Sequence, residues 1–272
     1  SAEAPPDLAG LAEADSVVTF FARTFGPFVY EKLAHLQSLT RFGGMENASA
    51  IFYSDREFRT TGVGYGLLAH ETAHQWFGDA VTEREWPHLW LSEGFATYLA
   101  ALYTQHSRGD SAFRAEIGGI RREVLAAAVV AQRPVIDTIE TTLTSLLNAN
   151  SYQKGGMVLH MLREEIGDEA FFRGARIYQD KFRHGTALTD DLRGAMELAA
   201  GKDLKPFFTQ WLTRPGFPEI NAAWKYEAGP GRLERLLRRL GVSVDLGADP
   251  GWQQALAALA PDDPPDVLVT DL

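Results

Sequence analysis

The chain has 272 residues, of which 45% are apolar and 23% are charged, and its formal net charge at pH 7 is −10. This composition is typical of a globular protein with one large or two modest domains, and the negative charge argues against nucleic-acid binding. Because the chain has no cysteine, disulfide bonds and thiolate metal ligands are both excluded.

The N-terminal part is predicted to hold a linker, a helix and strands. Ser1–Asp15 is acidic and rich in Pro and Ala, as exposed linkers are, and it lacks the basic and then apolar pattern of a signal peptide. Asp15–Phe25 has the periodicity of a helix, whereas Lys32–Leu39 and Ala50–Tyr53 have strand character. No apolar run reaches the roughly 18 residues of a membrane span. We therefore expect a cytoplasmic protein, although a processed start would look the same and leaves export open.

The sequence HETAH, from His70 to His74, predicts a metal site. Leu67–Phe77 has helical periodicity and is followed by Gly78, so the two histidines, at positions i and i+4, project from one face toward one ion. Glu71 lies about 100° round the helix from His70, which keeps it off the ion and beside the ion's open position. Glu71 is therefore predicted to be a general base rather than a ligand.

Glu93 is the predicted third ligand, because it follows His74 after 18 intervening residues and begins a second helical segment, LSEGFATYLAALY. A catalytic zinc takes three protein ligands and keeps a fourth position open. His70, His74 and Glu93 are thus predicted to bind one Zn²⁺ per chain. Two alternatives stay open: a His-Glu-x-x-His string occurs by chance in roughly one chain in a hundred of this size, and Ser92-Glu93 could serve only as the N-cap and first turn of a helix.

Beyond Leu67 the chain is predicted to be helical with loops, and Arg133–Asn150 has the composition of an irregular connection. Three later segments are predicted strands of a small or incomplete terminal β-domain: Asn221–Tyr226, Val242–Leu246 and Asp266–Thr270. The predicted fold class is α/β, of the α+β kind. The predicted parts are a linker at 1–15, a catalytic domain at 16–219 and a β-containing region at 220–272.

Four segments together resemble a known family: GGMEN at 43–47, HETAHQWFGDAVT at 70–82, LWLSEGFATYL at 89–99 and SYQKGGMVLHML at 151–162. In order and spacing they are similar to the zinc aminopeptidases related to aminopeptidase N and leukotriene hydrolase, over about residues 20–220. The resemblance implies a thermolysin-like, two-lobed catalytic domain whose C-terminal lobe is mostly helical. It also implies a zinc cofactor and the removal of N-terminal residues from peptides.

The GGMEN segment carries the substrate contacts that the resemblance implies. Glu46 would bind the free α-amino group of the peptide, and the backbone of Gly43 and Gly44 would pair with the peptide as an added edge strand. Met45 and Asn47 would belong to the same substrate-binding segment. A charge-assisted contact of this kind selects substrates with a free N-terminus. The alternative for Glu46 is an ordinary exposed acid in a turn.

Tyr152 and Asp79 complete the site that the resemblance implies. Tyr152 would donate its phenol to the oxyanion of the tetrahedral intermediate, the alternative being a buried core tyrosine. Asp79 would orient a ligand histidine as an acceptor, although an acid at this position could equally cap the turn.

The chain departs from the family in three respects. The acid that relatives carry seven residues after the third ligand is replaced by Ala100. Thr144 and Leu147 stand where the leukotriene hydrolase branch has an aspartate and a tyrosine, which disfavours epoxide hydrolysis. The family's N-terminal β-rich domain does not precede the segment at Ser1. We therefore expect that domain on a separate chain, or on a fragment of a nicked precursor, bound to exposed apolar surface.

Two rival functions are an endopeptidase of the thermolysin type and a non-catalytic interaction module that keeps the fold. An endopeptidase would gain nothing from the carboxylate of Glu46 where the preceding substrate residue must pass. A non-catalytic module should have lost the base, a ligand or the tyrosine. The chain retains Glu71, Tyr152 and all three predicted ligands, so the expected substrate is a peptide with a free N-terminus.

Overall fold

The structure, a computed structural model, describes residues 8–60 and 63–218. These residues belong to the first of two units into which the chain divides, Ser1–Pro218. The predicted strands between 221 and 270 lie outside the described residues, and the predicted domain boundaries stay predictions.

The described part of the chain is mostly helical and has two small sheets. Its helices are α1 (Ala14–Phe25), α2 (Asp55–Thr60), α3 (Tyr65–His74), α4 (Trp90–Arg108), α5 (Asp110–Ala126), α6 (Ala128–Gln132), α7 (Gly155–Ile166), α8 (Asp168–Phe182), α9 (Thr189–Ala200) and α10 (Lys205–Leu212). Its strands are β1 (Ala34–Ser38), β2 (Gly44–Met45), β3 (Ala50–Ser54), β4 (Val81–Glu83) and β5 (Gly185–Ala187). Short 3₁₀ helices lie at Leu8–Leu11, Trp86–His88 and Leu143–Leu146, and a π-helix lies at Asn150–Lys154. The helical character predicted beyond Leu67 is confirmed.

The strands near the N-terminus form a three-stranded sheet in the order β1-β3-β2. β1 runs parallel to β3, and β2 runs antiparallel to it with Gly44 opposite Tyr53. β3 carries the fully buried side chains of Ile51 and Tyr53, which fix the sheet on the helices. β2 therefore forms an edge of this sheet, where its outer side is available for pairing with another strand.

The predicted linker is structured over its second half. Leu8–Leu11 forms a 3₁₀ helix, and Glu13 accepts a 2.7 Å contact from Arg108 at the end of α4. The hydroxyl of Tyr103 also donates to Glu13, at 2.8 Å. Part of the predicted linker thus contacts α4, and the boundary predicted at residue 15 stays a prediction. The acidic side chain of Glu13 pairs with Arg108, a basic residue distant in sequence.

Helix α4 forms the centre of the core, with its residues from Trp90 to Phe95 fully or almost fully buried. It packs against α3 on one side and α7 on another. The approach to α7 needs glycine, because a Cβ at Gly94 would lie 2.9 Å from the carbonyl carbon of Gly155. Phe77, just after α3, stacks on Phe95 with ring centroids 4.0 Å apart. The core thus holds α3 and α4 in a fixed relation.

Helix α3 ends at His74, three residues before the predicted end at Phe77. Gln75 and Trp76 donate to carbonyls three residues back, Thr72 and Ala73, at 3.2 and 3.0 Å. Bonds of this spacing tighten the last turn of a helix. The tightened turn brings the side chain of Gln75 into the interior.

None of the described helices combines the length and the apolarity that crossing a bilayer would need. The cytoplasmic location expected from the sequence stays a prediction.

Candidate metal centre and active site

Helices α3 and α4 bring the three predicted ligands together. Nε2 of His70 and Nε2 of His74 lie 3.2 Å apart, and each lies 3.3 Å from Oε2 of Glu93. The two histidines meet because positions i and i+4 share a helix face, whereas Glu93 arrives from the first turn of α4. The three atoms form a nearly equilateral triangle.

This triangle fits a tetrahedral metal ion. Ligands about 2.0–2.1 Å from a tetrahedral zinc lie about 3.3–3.4 Å from one another, as these three atoms do. Apart from the two imidazole nitrogens at 3.3 Å, the buried Oε2 of Glu93 has no hydrogen-bond partner among the described residues, which is costly for a carboxylate unless a cation compensates. Burial alone would raise the pKa of Glu93, but His74 and His70 outweigh that effect and hold this pKa well below its usual range.

Glu71 lies beside the triangle and outside it. Its side chain is only 5% exposed, and burial raises the pKa of its carboxyl to about 8. Ligand-type atoms of Glu46, Glu71 and His74 lie within 4.8 Å of one another. A carboxyl group close to a metal position and not among its three ligands is placed to accept a proton from a water at that position.

The backbone of β2 lies directly against Glu71. A Cβ built at Gly44 would overlap the carboxyl group of Glu71, so only glycine allows this approach. Gly43 accepts a hydrogen bond from the backbone N–H of Ser54 at 2.9 Å. Met45 is half-buried opposite Phe52. The sheet edge thus runs past Glu71.

Replacing Gly44 by Ala should lower kcat by about 10²-fold, because displacing Glu71 or β2 by about 1 Å has an effect of that size. Gly66→Ala is the matched control. Gly66 lies in α3, where an added Cβ would meet no atom within 4 Å, so this variant should keep full activity and be more stable by about 0.5–1 kcal/mol. Steady-state rates and thermal unfolding of both variants test this; unchanged turnover in Gly44→Ala would contradict the close approach.

Tyr152 lies on the π-helix Asn150–Lys154, a distortion that often marks functional sites. Its hydroxyl donates to Oε1 of Glu93 at 2.8 Å, and its ring stacks on that of His70 at 6.0 Å between centroids. Burial, and then the negative charge of Glu93, raises the pKa of Tyr152 above its usual range. The phenol therefore keeps its proton, and its single O–H bonds Glu93 beside the metal position.

The sequence profile of the peptidase family M1 domain matches residues 10–211. The chain belongs to peptidase family M1. It is 32% identical over 228 residues to the "Probable aminopeptidase 1" of Saccharolobus solfataricus, covering 76% of this chain and 28% of that protein. It is 34% identical over 161 residues to the glutamyl aminopeptidase of Homo sapiens, covering 57% and 17%.

Solved structures of family M1 are also similar to this chain. One is a crystal structure of an M1 zinc metallopeptidase mutant from Deinococcus radiodurans, bound to a Tyr-Ser-Ala substrate. The TM-score is 0.66 at 25% sequence identity, over 80% of this chain and 47% of that one. The chain therefore spans about a quarter of the archaeal aminopeptidase and about half of the solved metallopeptidase. The resemblance predicted from the four motifs is confirmed.

Asp79 of this M1 chain does not contact a ligand histidine in the way that the sequence suggested. Its Oδ2 accepts a hydrogen bond from Nε2 of Gln75 at 2.7 Å, while Nδ1 of His74 faces the carbonyl oxygen of Phe77 at 3.2 Å. Gly78, with φ at 133°, forms the turn between Phe77 and Asp79, and the backbone N–H of Asp79 donates to the carbonyl of His74 at 2.9 Å. Gln75 was not predicted to belong to the site; its only sequence signal is a polar residue between His74 and the apolar pair Trp76-Phe77.

The acid that the resemblance implies seven residues after Glu93 is replaced by the buried Ala100. A different acid, Glu83, lies near the N-terminal end of α4. Glu83 on β4 accepts a hydrogen bond from the hydroxyl of Ser92, the residue before Glu93. Burial raises the pKa of Glu83 above its usual range. Glu83 was not predicted from the sequence, because it lies on a strand whose packing on α4 has no local sequence signal.

Proposed function

We propose that this chain is the catalytic part of a zinc aminopeptidase, which hydrolyses the first peptide bond of substrates with a free N-terminus. The observation that carries the proposal is the ligand triangle of His70, His74 and Glu93 with two further carboxylates, Glu71 and Glu46, beside it. The sequences and structures of family M1 support it. In this proposal the catalytic domain covers 16–219 and has the two lobes of a thermolysin-like fold.

Zinc, when bound to the triangle, supplies a Lewis acid that polarises the scissile carbonyl and lowers the pKa of water toward about 7. Glu71 acts as general base: it accepts the proton of the attacking water and passes it to the leaving amine. The O–H of Tyr152, which donates to Glu93 at 2.8 Å in this structure, would turn to donate to the oxygen that gains negative charge.

Glu46 sets the register of the substrate in this proposal. It follows β2, whose outer edge would pair with an extended peptide. A carboxylate at the end of such a strand accepts hydrogen bonds from the substrate's terminal ammonium group, and a blocked N-terminus would leave it unpaired. Gly43, Gly44, Met45 and Asn47 are the further substrate-binding residues of this segment. The rival endopeptidase would have to pass substrate residues through the position of Glu46.

Replacing Glu46 by Ala should lower kcat/KM on peptides with a free N-terminus by about 10²-fold, since hydrogen bonds to a charged group contribute about 1.5–3 kcal/mol. Cleavage of N-acetylated peptides, which is slow in the parent, should change little. Glu85→Ala removes an exposed acid outside the site and should have no effect on either substrate. An equal loss on both substrates in Glu46→Ala would contradict the role of Glu46 as the N-terminal anchor.

The partner predicted from the sequence is also part of this proposal. Leu36, Leu39 and Phe42 are exposed apolar residues in or next to the three-stranded sheet, and Leu39 is 92% exposed. We propose that a β-rich domain covers them. Leu39→Asp should then lower the thermal unfolding temperature of the purified active protein, whereas an unchanged unfolding temperature would contradict this proposal.

A further inference from the structure

The side chain of Gln75 joins three segments of the candidate active site. It is fully buried. Its Nε2 donates to the backbone carbonyl of Glu46 at 2.9 Å and to Oδ2 of Asp79 at 2.7 Å, and its Oε1 accepts from the backbone N–H of Ser49 at 2.7 Å. A primary amide has two N–H donors and one carbonyl acceptor. Every hydrogen-bonding group of Gln75 is therefore in use.

The loop from Glu46 to Ser49 needs this support. Ser49 has a φ of 64°, a left-handed conformation that costs a residue other than glycine about 1–3 kcal/mol. The loop is closed at its ends by hydrogen bonds from Ala50 to the carbonyl of Asn47 and from Ala34 to the carbonyl of Ser49. Within the described residues, hydrogen bonds from the side chain of Gln75 connect this loop to the end of α3. The amide thus stabilises a conformation that the local sequence does not favour.

Gln75 directly follows the metal ligand His74 in the chain. Gln75, the first residue after α3, therefore holds the backbone of Glu46. The carboxylate of Glu46 is the group proposed to bind the substrate's N-terminus. A shift of the loop relative to α3 would change the distance between that carboxylate and the metal position. A misplacement of about 1 Å can change rates by about 10²-fold.

We propose that Gln75 is a positioning residue that sets the distance between Glu46 and the metal centre, and thereby the selectivity for a free N-terminus. This inference rests on the proposed function. Gln75 does not contact the reacting atoms in this proposal; it acts through Glu46. An amide suits this role because its N–H groups donate to the carbonyl of Glu46 and to the carboxylate of Asp79. A carboxylate at position 75 would have no N–H group to donate to either acceptor.

The test compares the parent with Gln75→Met, which keeps an unbranched side chain of similar size and removes the amide. The substrates are one peptide with a free N-terminus and the same peptide N-acetylated, with zinc content measured on the same samples. We expect unchanged zinc per chain, a KM on the free peptide raised about 10- to 100-fold, and a smaller fall in kcat. Cleavage of the acetylated peptide should stay as in the parent, so the selectivity ratio falls.

Gln179→Met is the matched control. Gln179 is also buried, and its Nε2 donates to the carbonyl of Trp76 at 2.8 Å, so it supports the same end of α3 without contacting the loop of Glu46. This variant should keep the parent's selectivity. Gln75→Asn, which withdraws the amide by one methylene, should lower selectivity to a smaller degree and replaces Gln75→Met if that variant is not recovered folded.

A double-mutant cycle with Glu46→Ala decides whether Gln75 acts through Glu46. In the Glu46→Ala background, Gln75→Met should change the selectivity ratio by less than about 2-fold, because the anchor that it positions is gone. Additive effects of Gln75→Met and Glu46→Ala on the selectivity ratio would overturn the inference. So would an unchanged selectivity ratio in Gln75→Met, when the parent itself prefers the free peptide. Equal cleavage of both peptides by the parent would instead overturn the proposed function, and the inference with it.

Discussion

The Glu71→Gln variant should lose about 10²–10⁴-fold in kcat, the usual contribution of a general base, and keep one zinc per chain. Glutamine has the shape of glutamate but cannot accept the proton of the attacking water. Glu71 lies outside the ligand triangle, so removing its charge leaves the three ligand atoms in place. The close contact with Gly44 tolerates an amide of equal size. Rates and metal content of one sample test both parts.

Glu164→Gln is the control for this change, because Glu164 is an exposed acid on α7 outside the site. It should show parental rates and parental zinc content. If Glu71→Gln lost its zinc, Glu71 would be a ligand rather than a base, and the assignment of roles in the site would be wrong.

The His74→Ala variant should lose both zinc and activity. His74 is almost fully buried, and its removal leaves only two of the three ligands, His70 and Glu93. Residues that merely support metal ligands change metal affinity by about 10–100-fold, so the loss of a ligand should weaken binding by more than about 10²-fold. Metal analysis after dialysis, with activity measured at increasing zinc, tests this.

His106→Ala provides the comparison, since His106 is exposed near the C-terminal end of α4, more than about three helical turns from Glu93. Its zinc content and activity should match those of the parent. Equal zinc in His74→Ala and the parent would show that the metal is held elsewhere.

The parts of this site that the sequence predicted depend on short-range geometry. His70 and His74 converge because of helix periodicity, and Glu71 is directed beside them for the same reason. Glu93 followed from the ligand number of catalytic zinc and from its place at the start of a helix. Each of these inferences needed only residues on one or two helices.

The parts that the sequence did not predict depend on tertiary contacts. Gln75 bonds to backbone groups 26 and 29 residues earlier in the chain, and no local pattern shows such partners. The left-handed Ser49 has no glycine to signal it, and the π-helix around Tyr152 is set by packing against α4 and α7. Glu13 was assigned to a linker because its partner Arg108 lies on a distant helix.

The most direct test of an aminopeptidase built on this metal centre uses a panel of aminoacyl amides, each with a free and an N-acetylated terminus. Metal content is measured on the same preparation, before and after chelation and zinc addition. We expect one zinc per chain, rapid hydrolysis of the free amides alone, and activity that is lost and restored with the metal. Efficient hydrolysis of the acetylated amides, or full activity without zinc, would contradict this function.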